Sequence, residues 1–194
     1  MPRIKTATLA EHREWRRQQL IASATAIALE EGGAAVTVAA VAERAGLSRT
    51  SVYEYFGSSA ELVADLVIDE LGRFSTTLSE AIDEDSLPLV AIEQWINAAL
   101  HYIVDGRHLL AKVLGAISIP KDRAPEIAQA HRALLAPLHS ACEQMGIADV
   151  PQALAFIQSV TDATTKRIES GYEAEKEIAS AINFCLAGVS ALIR

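Results

Sequence analysis

The chain has 194 residues, 51% hydrophobic and 22% charged, with a formal net charge of −8. That much apolar material argues against a disordered chain and allows one large domain, or a small one joined to a larger one. Cys142 and Cys185 form neither a disulfide framework nor a zinc spacing, which favours a reducing cytoplasm.

No run of roughly 18 apolar residues occurs, and the opening MPRIKTATLAEHREWRR lacks the apolar stretch of a signal peptide. The expectation is a soluble cytoplasmic protein with no membrane segment. Charge is distributed unevenly. Through Gly57 there are seven Lys/Arg against six Asp/Glu, and beyond it ten against nineteen. Arg3, Lys5, Arg13, Arg16 and Arg17 supply most of the N-terminal positive charge, as a basic end on an acidic body suited to orienting a polyanion.

In chain order, every long segment reads as helix. From about Glu11 to Glu31, Leu20, Ala24, Ile27 and Ala28 recur at helical spacing until Gly32 and Gly33 supply a stop. Thr37 is placed to cap a short helix whose Val38, Val41, Ala42 and Ala45 share a face. Gly46 permits a left-handed turn, Ser48 caps the next helix, and that helix ends near Phe56.

Ser58-Ser59-Ala60-Glu61 reads as a capping box opening a long helix to about residue 82. Pro88 begins a helix toward Asp105-Gly106, and a shorter one follows to about Ile119. Pro125 opens another, reaching Met145, with Pro137 expected to kink it. Two apolar helices, about 151–170 and 172–193, are split by Gly171. With no sustained alternation there is no sheet, so the fold class is all-α with about nine helices. The domains expected are 1–57, and 58–194 with 58–82 as a connecting helix.

Two short helices joined by a glycine corner describe a helix-turn-helix. On a wheel at about 100° per residue, Val52 and Phe56 point inward with Leu47. Thr50, Ser51 and Glu54 lie opposite, with Tyr53 and Tyr55 on the flanks. That outer face suits a major groove, whose base edges offer donors, acceptors and thymine methyls, and its hydroxyls suit phosphate oxygens.

The run from Thr37 to Phe56, TVAAVAERAGLSRTSVYEYF, resembles the DNA-binding signature of TetR-family transcriptional regulators. The shared pattern is a threonine, an alanine-rich helix, Ala-Gly-aliphatic-Ser, and an aliphatic-Tyr-x-aromatic-Phe recognition helix. The resemblance implies that Thr37 caps the second helix and meets a phosphate, and that Ser48 caps the recognition helix. It also implies that Arg49, Thr50, Ser51 and Tyr53 meet bases or backbone, with Tyr55 on adjacent phosphates. Arg17 is a further candidate for DNA contact, and Ser59 stands at the start of helix four. Family members usually carry glycine or proline where Thr50 stands and lysine where Ser59 stands. Serine leaves only a hydroxyl and a helix N-terminus for phosphate, so modest affinity is expected unless the basic N-terminal residues compensate. Glu54 either accepts from cytosine N4 or pairs with a neighbouring arginine, the second being favoured.

One helix-turn-helix reads few base pairs, and a symmetric dimer sets two recognition helices about 34–36 Å apart. Ile178, Ile182, Cys185 and Val189 of the last helix, with Phe156 and Val160 of the one before, offer a homodimer face. The resemblance implies the same dimer, together with a small-molecule effector that releases the operator. Trp95, His101, Tyr102, Leu109, Leu110 and Phe156 are candidates for lining an apolar pocket for a small apolar or amphipathic effector.

His139 with Cys142, and His101 with His108, share helical faces but have no further ligands signalled, so no metal or cofactor is expected. No nucleophile elbow, phosphate loop, zincin helix or dinucleotide fingerprint points to an enzyme. Two functions stand. One is a ligand-responsive dimeric repressor on a pseudo-palindromic operator of double-stranded DNA. The other is a helical small-molecule or protein binding module on the same scaffold, with weak or no operator binding.

Overall fold

The computed structural model describes residues 9–106 and 120–193. Eight α-helices occur among them: α1 (Leu9–Glu31), α2 (Val38–Arg44), α3 (Arg49–Tyr53), α4 (Ser59–Glu80), α5 (Pro88–Val104), α6 (Ala124–Gln144), α7 (Val150–Glu169) and α8 (Ala174–Ser190). No strand occurs among these residues, and one isolated antiparallel bridge pairs Ile147 with Ile193. The all-α expectation holds. The short helix expected before Ile119 falls outside the described residues, as do His108, Leu109 and Leu110.

Two compact units result, Met1–Glu70 with Leu109–Ile127 and Leu71–His108 with Ala128–Arg194. In the first, α1 buries Leu20, Ile21, Ala24, Ile27 and Ala28 along one stripe. They meet Val38, Val41 and Ala42 of α2, Val52 and Phe56 around α3, and Leu62, Val63 and Leu66 of α4. Each fully buried aliphatic side chain contributes about 1.5–3 kcal/mol. That core lets a five-residue helix, too short to persist alone, hold its place.

The expected cap forms at the start of α4, with the reciprocal bond shifted one residue back, from Ser58 to Gly57. Ser58 Oγ accepts from the Glu61 amide at 3.1 Å, and Glu61 Oε2 accepts from the Gly57 amide at 3.0 Å.

In the second unit, Ile92, Trp95, Ile96, Ala99 and Leu100 of α5 form one core with Leu134, Leu138, Ala141 and Cys142 of α6. α7 adds Ala153, Leu154 and Ile157, and α8 adds Ile178, Ala181, Cys185 and Val189. Pro137 lies inside α6, which continues as helix across it for 21 residues.

The α7–α8 corner is clamped. Gly171 turns at φ 92°, while the Gly171 and Tyr172 amides donate to the Ile168 and Arg167 carbonyls at 2.9 and 3.2 Å. Arg167 then grips both Glu177 oxygens at 2.6 and 2.7 Å, with its guanidinium 3.9 Å from the Tyr172 ring centroid.

Candidate nucleic-acid interface

The helix-turn-helix is assembled from local signals. Thr37 Oγ1 accepts from the Ala40 amide at 3.1 Å and closes the N-terminus of α2. At the other end Gly46 turns at φ +65°. Its amide donates to the Glu43 carbonyl at 3.1 Å, and the Leu47 amide donates to the Ala42 carbonyl at 2.9 Å. Ser48 Oγ accepts from the Ser51 amide at 3.1 Å and lies 2.9 Å from the Ser51 hydroxyl.

α3 is shorter than the sequence reading, ending at Tyr53 rather than near Phe56. The Tyr55 and Phe56 amides both turn onto the Val52 carbonyl, at 3.0 Å each. That tightening drops Phe56 into the core beside Val52, both of them buried. Arg49, Thr50 and Tyr53 face outward, Tyr53 with 55% exposure, while Ser51 and Tyr55 are half-buried. The result is a recognition helix anchored by two apolar side chains and presenting guanidinium, hydroxyl and phenol groups to solvent.

Two of the residues assigned to DNA, Arg17 and Ser59, find partners in distant segments of the unit. Arg17 Nη2 pairs with Asp65 Oδ2 at 2.8 Å, and Arg123 grips the other Asp65 oxygen, both in partly buried positions. Ser59 Oγ accepts from the Val38 amide at 3.0 Å, so its hydroxyl is engaged with α2. Neither partner is local in sequence, so no helical spacing signals either bond.

The remaining arginines of this unit sort by compensation. Arg44 meets both Glu30 oxygens at 2.6 Å, which holds the Glu30 carboxyl below its ordinary range. Arg13 Nη2 donates to the Glu54 carbonyl at 3.5 Å, with its guanidinium 5.8 Å from the Tyr55 ring centroid. Glu54 therefore meets an arginine through its backbone oxygen. Arg13, Arg16, His12, Glu54 and Tyr55 line an open groove of about 530 Å³.

The described candidates for an effector pocket each have a partner or setting of their own. Trp95 is buried, its indole N–H donating to the Leu134 carbonyl at 3.1 Å, and Tyr102 stacks on Phe74 at 4.3 Å. His101 Nδ1 lies 2.9 Å from the Asn97 carbonyl and Nε2 3.3 Å from Glu175. Phe156 points outward at 54% exposure. Leu110 lies outside the described residues.

Of the candidate dimer residues, Ile178, Cys185 and Val189 bury inside their own subunit, and Val160 and Ile182 pack against the same core. An apolar stripe at helical spacing serves a core or an interface equally well, and here most of it is core. The outward face is instead Phe156 and Phe184, the latter 68% exposed, beside Gly188. They flank an apolar groove of about 380 Å³ between α7 and α8, with Cys185 and Val189 also lining it. Phe184 was not among the residues expected on that face; it stands in the i, i+4, i+8 row Phe184, Gly188, Leu192.

Among the described residues no group of three His, Cys, Asp or Glu is placed to hold a metal ion. His139 faces Glu143 at 3.3 Å, and Cys142 is buried. No described helix is long and apolar enough to cross a membrane.

These features define a helix-turn-helix unit with a polar, solvent-facing second helix. Residues 20–66 match the family model for bacterial regulatory proteins of the tetR family. No curated protein matches the sequence. Solved structures share the fold across nearly the whole chain. The transcriptional regulator FadR from Bacillus subtilis, in complex with stearoyl-CoA, superimposes with a TM-score of 0.72 at 19% identity, covering 88% of this chain and 98% of its own. The fatty acid degradation regulator FadR from Bacillus halodurans gives 0.69 at 16%, covering 94% and 97%. A TetR-like transcriptional regulator from Rhodococcus sp. RHA1 gives 0.68 at 20%, covering 95% and 99%. At such identities the likeness establishes the fold.

Proposed function

We propose that this TetR-family regulator is a dimeric repressor that binds a pseudo-palindromic operator and is released by a small apolar or amphipathic effector. The observation that carries the reading is the anchored recognition helix, with Val52 and Phe56 buried and Arg49, Thr50 and Tyr53 facing solvent. The exposed Phe156 and Phe184 beside an apolar groove support a second copy docking on α7 and α8. The stearoyl-CoA complex of the Bacillus subtilis relative supports an acyl-chain effector class.

Fluorescence anisotropy with the chain's own upstream region tests the reading. The expected outcome is sequence-selective, salt-sensitive binding that weakens when a long-chain acyl-CoA is added. No binding at micromolar protein would instead favour the second reading, a helical binding module on this scaffold. That alternative draws support from the engagement of Arg17 with Asp65 and of Ser59 with Val38.

A further inference from the structure

α4 serves two cores in turn. Leu62, Val63 and Leu66 bury in the first unit, while Leu78, with Phe74 packed against it, belongs to the core of the second. Between these anchors stands Gly72, just past Glu70, where the first unit ends. Its surroundings do not call for a glycine. Gly72 is exposed, its φ is not positive, and a Cβ added to it meets no atom of the described residues within 4 Å beyond its own helix. Glycine in a helix interior nevertheless loosens the local opening equilibrium by about fivefold relative to alanine. The turn that follows adds to the weakness. Thr76 Oγ1 donates to the Gly72 carbonyl and Thr77 Oγ1 to the Arg73 carbonyl, both at 3.1 Å. Such hydroxyls compete for carbonyls of the helix ladder and bend helices. The run from Phe74 to Thr77 also holds no strong helix former. The first half of α4 is the opposite: Ser58 caps it, and Asp65 is gripped by Arg17 and Arg123.

We propose that Gly72 and the threonine turn after it form a hinge in α4 that sets how far apart two DNA half-sites can lie and still be bound by one dimer. The inference rests on the dimeric DNA-binding reading and deepens it with a specificity-determining residue outside the recognition helix. Half-site spacing is matched by the distance between two recognition helices, about 34–36 Å for one turn of duplex. A uniformly stiff α4 would hold each copy to one such distance. A helix that bends at Gly72 lets the recognition unit follow a spacing that departs from the ideal one. The cost is low, because the bending point carries no side chain to repack. The anchors on either side keep the bend local, since Leu66 and Leu78 each stay buried in their own core. Such motion is a hinge, absorbed by a few backbone dihedrals.

The experiment has two arms, both using the full chain and the variants Gly72→Ala, Thr76→Ala and Ser79→Ala. Ser79 is an exposed position of α4 beyond the hinge and serves as control. The first arm is hydrogen exchange read by mass spectrometry, without DNA. Amides 72–77 of the parent are expected to be less protected than amides 62–68, and Gly72→Ala to slow their exchange by about fivefold. Ser79→Ala is expected to leave them within about twofold. Uniform protection along α4, or no slowing in Gly72→Ala, overturns the hinge. The second arm is anisotropy on an operator footprinted in the chain's own upstream region, with its half-site spacing native, shortened or lengthened by a single base pair. Gly72→Ala is expected to bind the native spacing within about twofold of the parent. It should bind the altered spacings at least about fivefold more weakly than the parent does, because reaching them now bends a stiffened helix. Thr76→Ala is expected to move both arms in the same direction. Equal tolerance in Gly72→Ala and parent, or an equal loss in Ser79→Ala, overturns the spacing role while the DNA reading stands. If the parent binds no duplex, the DNA reading and the spacing role fall together, and the exchange arm still decides the hinge.

Discussion

Ser59 Oγ accepts the amide hydrogen of Val38 at 3.0 Å, so the first residue of α4 holds the first residue of α2. Thr37 Oγ1 accepts from another amide of that first turn, at Ala40. Ser59→Ala leaves the partly buried Val38 donor without its partner, a loss of about 1–2 kcal/mol. We expect a lower thermal midpoint. Ser59→Lys should show the same loss and, if its ammonium reaches phosphate, a steeper salt dependence. A variant as stable as the parent would show that water replaces the hydroxyl at no cost.

Tyr53 stands free of the core, so Tyr53→Ala should leave the thermal midpoint within about 0.5 kcal/mol of the parent. Operator affinity should fall by at least tenfold. Unchanged affinity would remove the phenol from the DNA interface.

Asp65 behaves differently, because its two oxygens hold Arg17 and Arg123 in partly buried positions. Asp65→Asn removes the carboxylate that two guanidiniums share, and although Arg123 keeps Glu126 and Arg17 keeps Glu14, destabilisation of about 1–2 kcal/mol is expected. Arg17→Ala should likewise act on stability, leaving the salt slope of DNA binding in place. A flattened slope with unchanged stability would return Arg17 to the phosphate contacts.

Phe156→Asp and Phe184→Asp place a carboxylate on an apolar rim that is exposed in the single subunit. Each should fold normally and, if α7 and α8 form the dimer face, run as a monomer in light scattering at micromolar concentration. A persistent dimer would move the interface elsewhere.

Burial pushes the Cys185 thiol up to about 11 from its ordinary value of 9.0. The folded state therefore favours the neutral form. The stability linked to this group is fully present below about pH 9 and is lost as the pH rises through 11. At pH 8, alkylation in the native state should be far slower than in denaturant, checked by mass spectrometry of timed samples. Equal rates would mean that the α7–α8 groove opens readily.

What the sequence could reveal follows from the range of each interaction. Thr37, Ser48 and Ser58 cap amides three residues away, and Gly46 closes a six-residue corner, so spacing alone exposes all four. Arg17 finds Asp65 across 48 positions and Ser59 finds Val38 across 21, and only folding brings such partners together. The stripe from Ile178 to Val189 was legible as apolar but not as inward, because periodicity records a face without recording what covers it. The burial of Trp95 and the stacking of Tyr102 on Phe74 were hidden for the same reason: aromatic groups at helical spacing fill cores as readily as they wall cavities.

The clamp of Arg167 on Glu177 and Tyr172 bears on how fast two copies would meet. By fixing the corner between α7 and α8, it makes the hairpin a finished template before any encounter. A second subunit docking there would need no disorder-to-order step, so the association rate would be governed by collision and orientation.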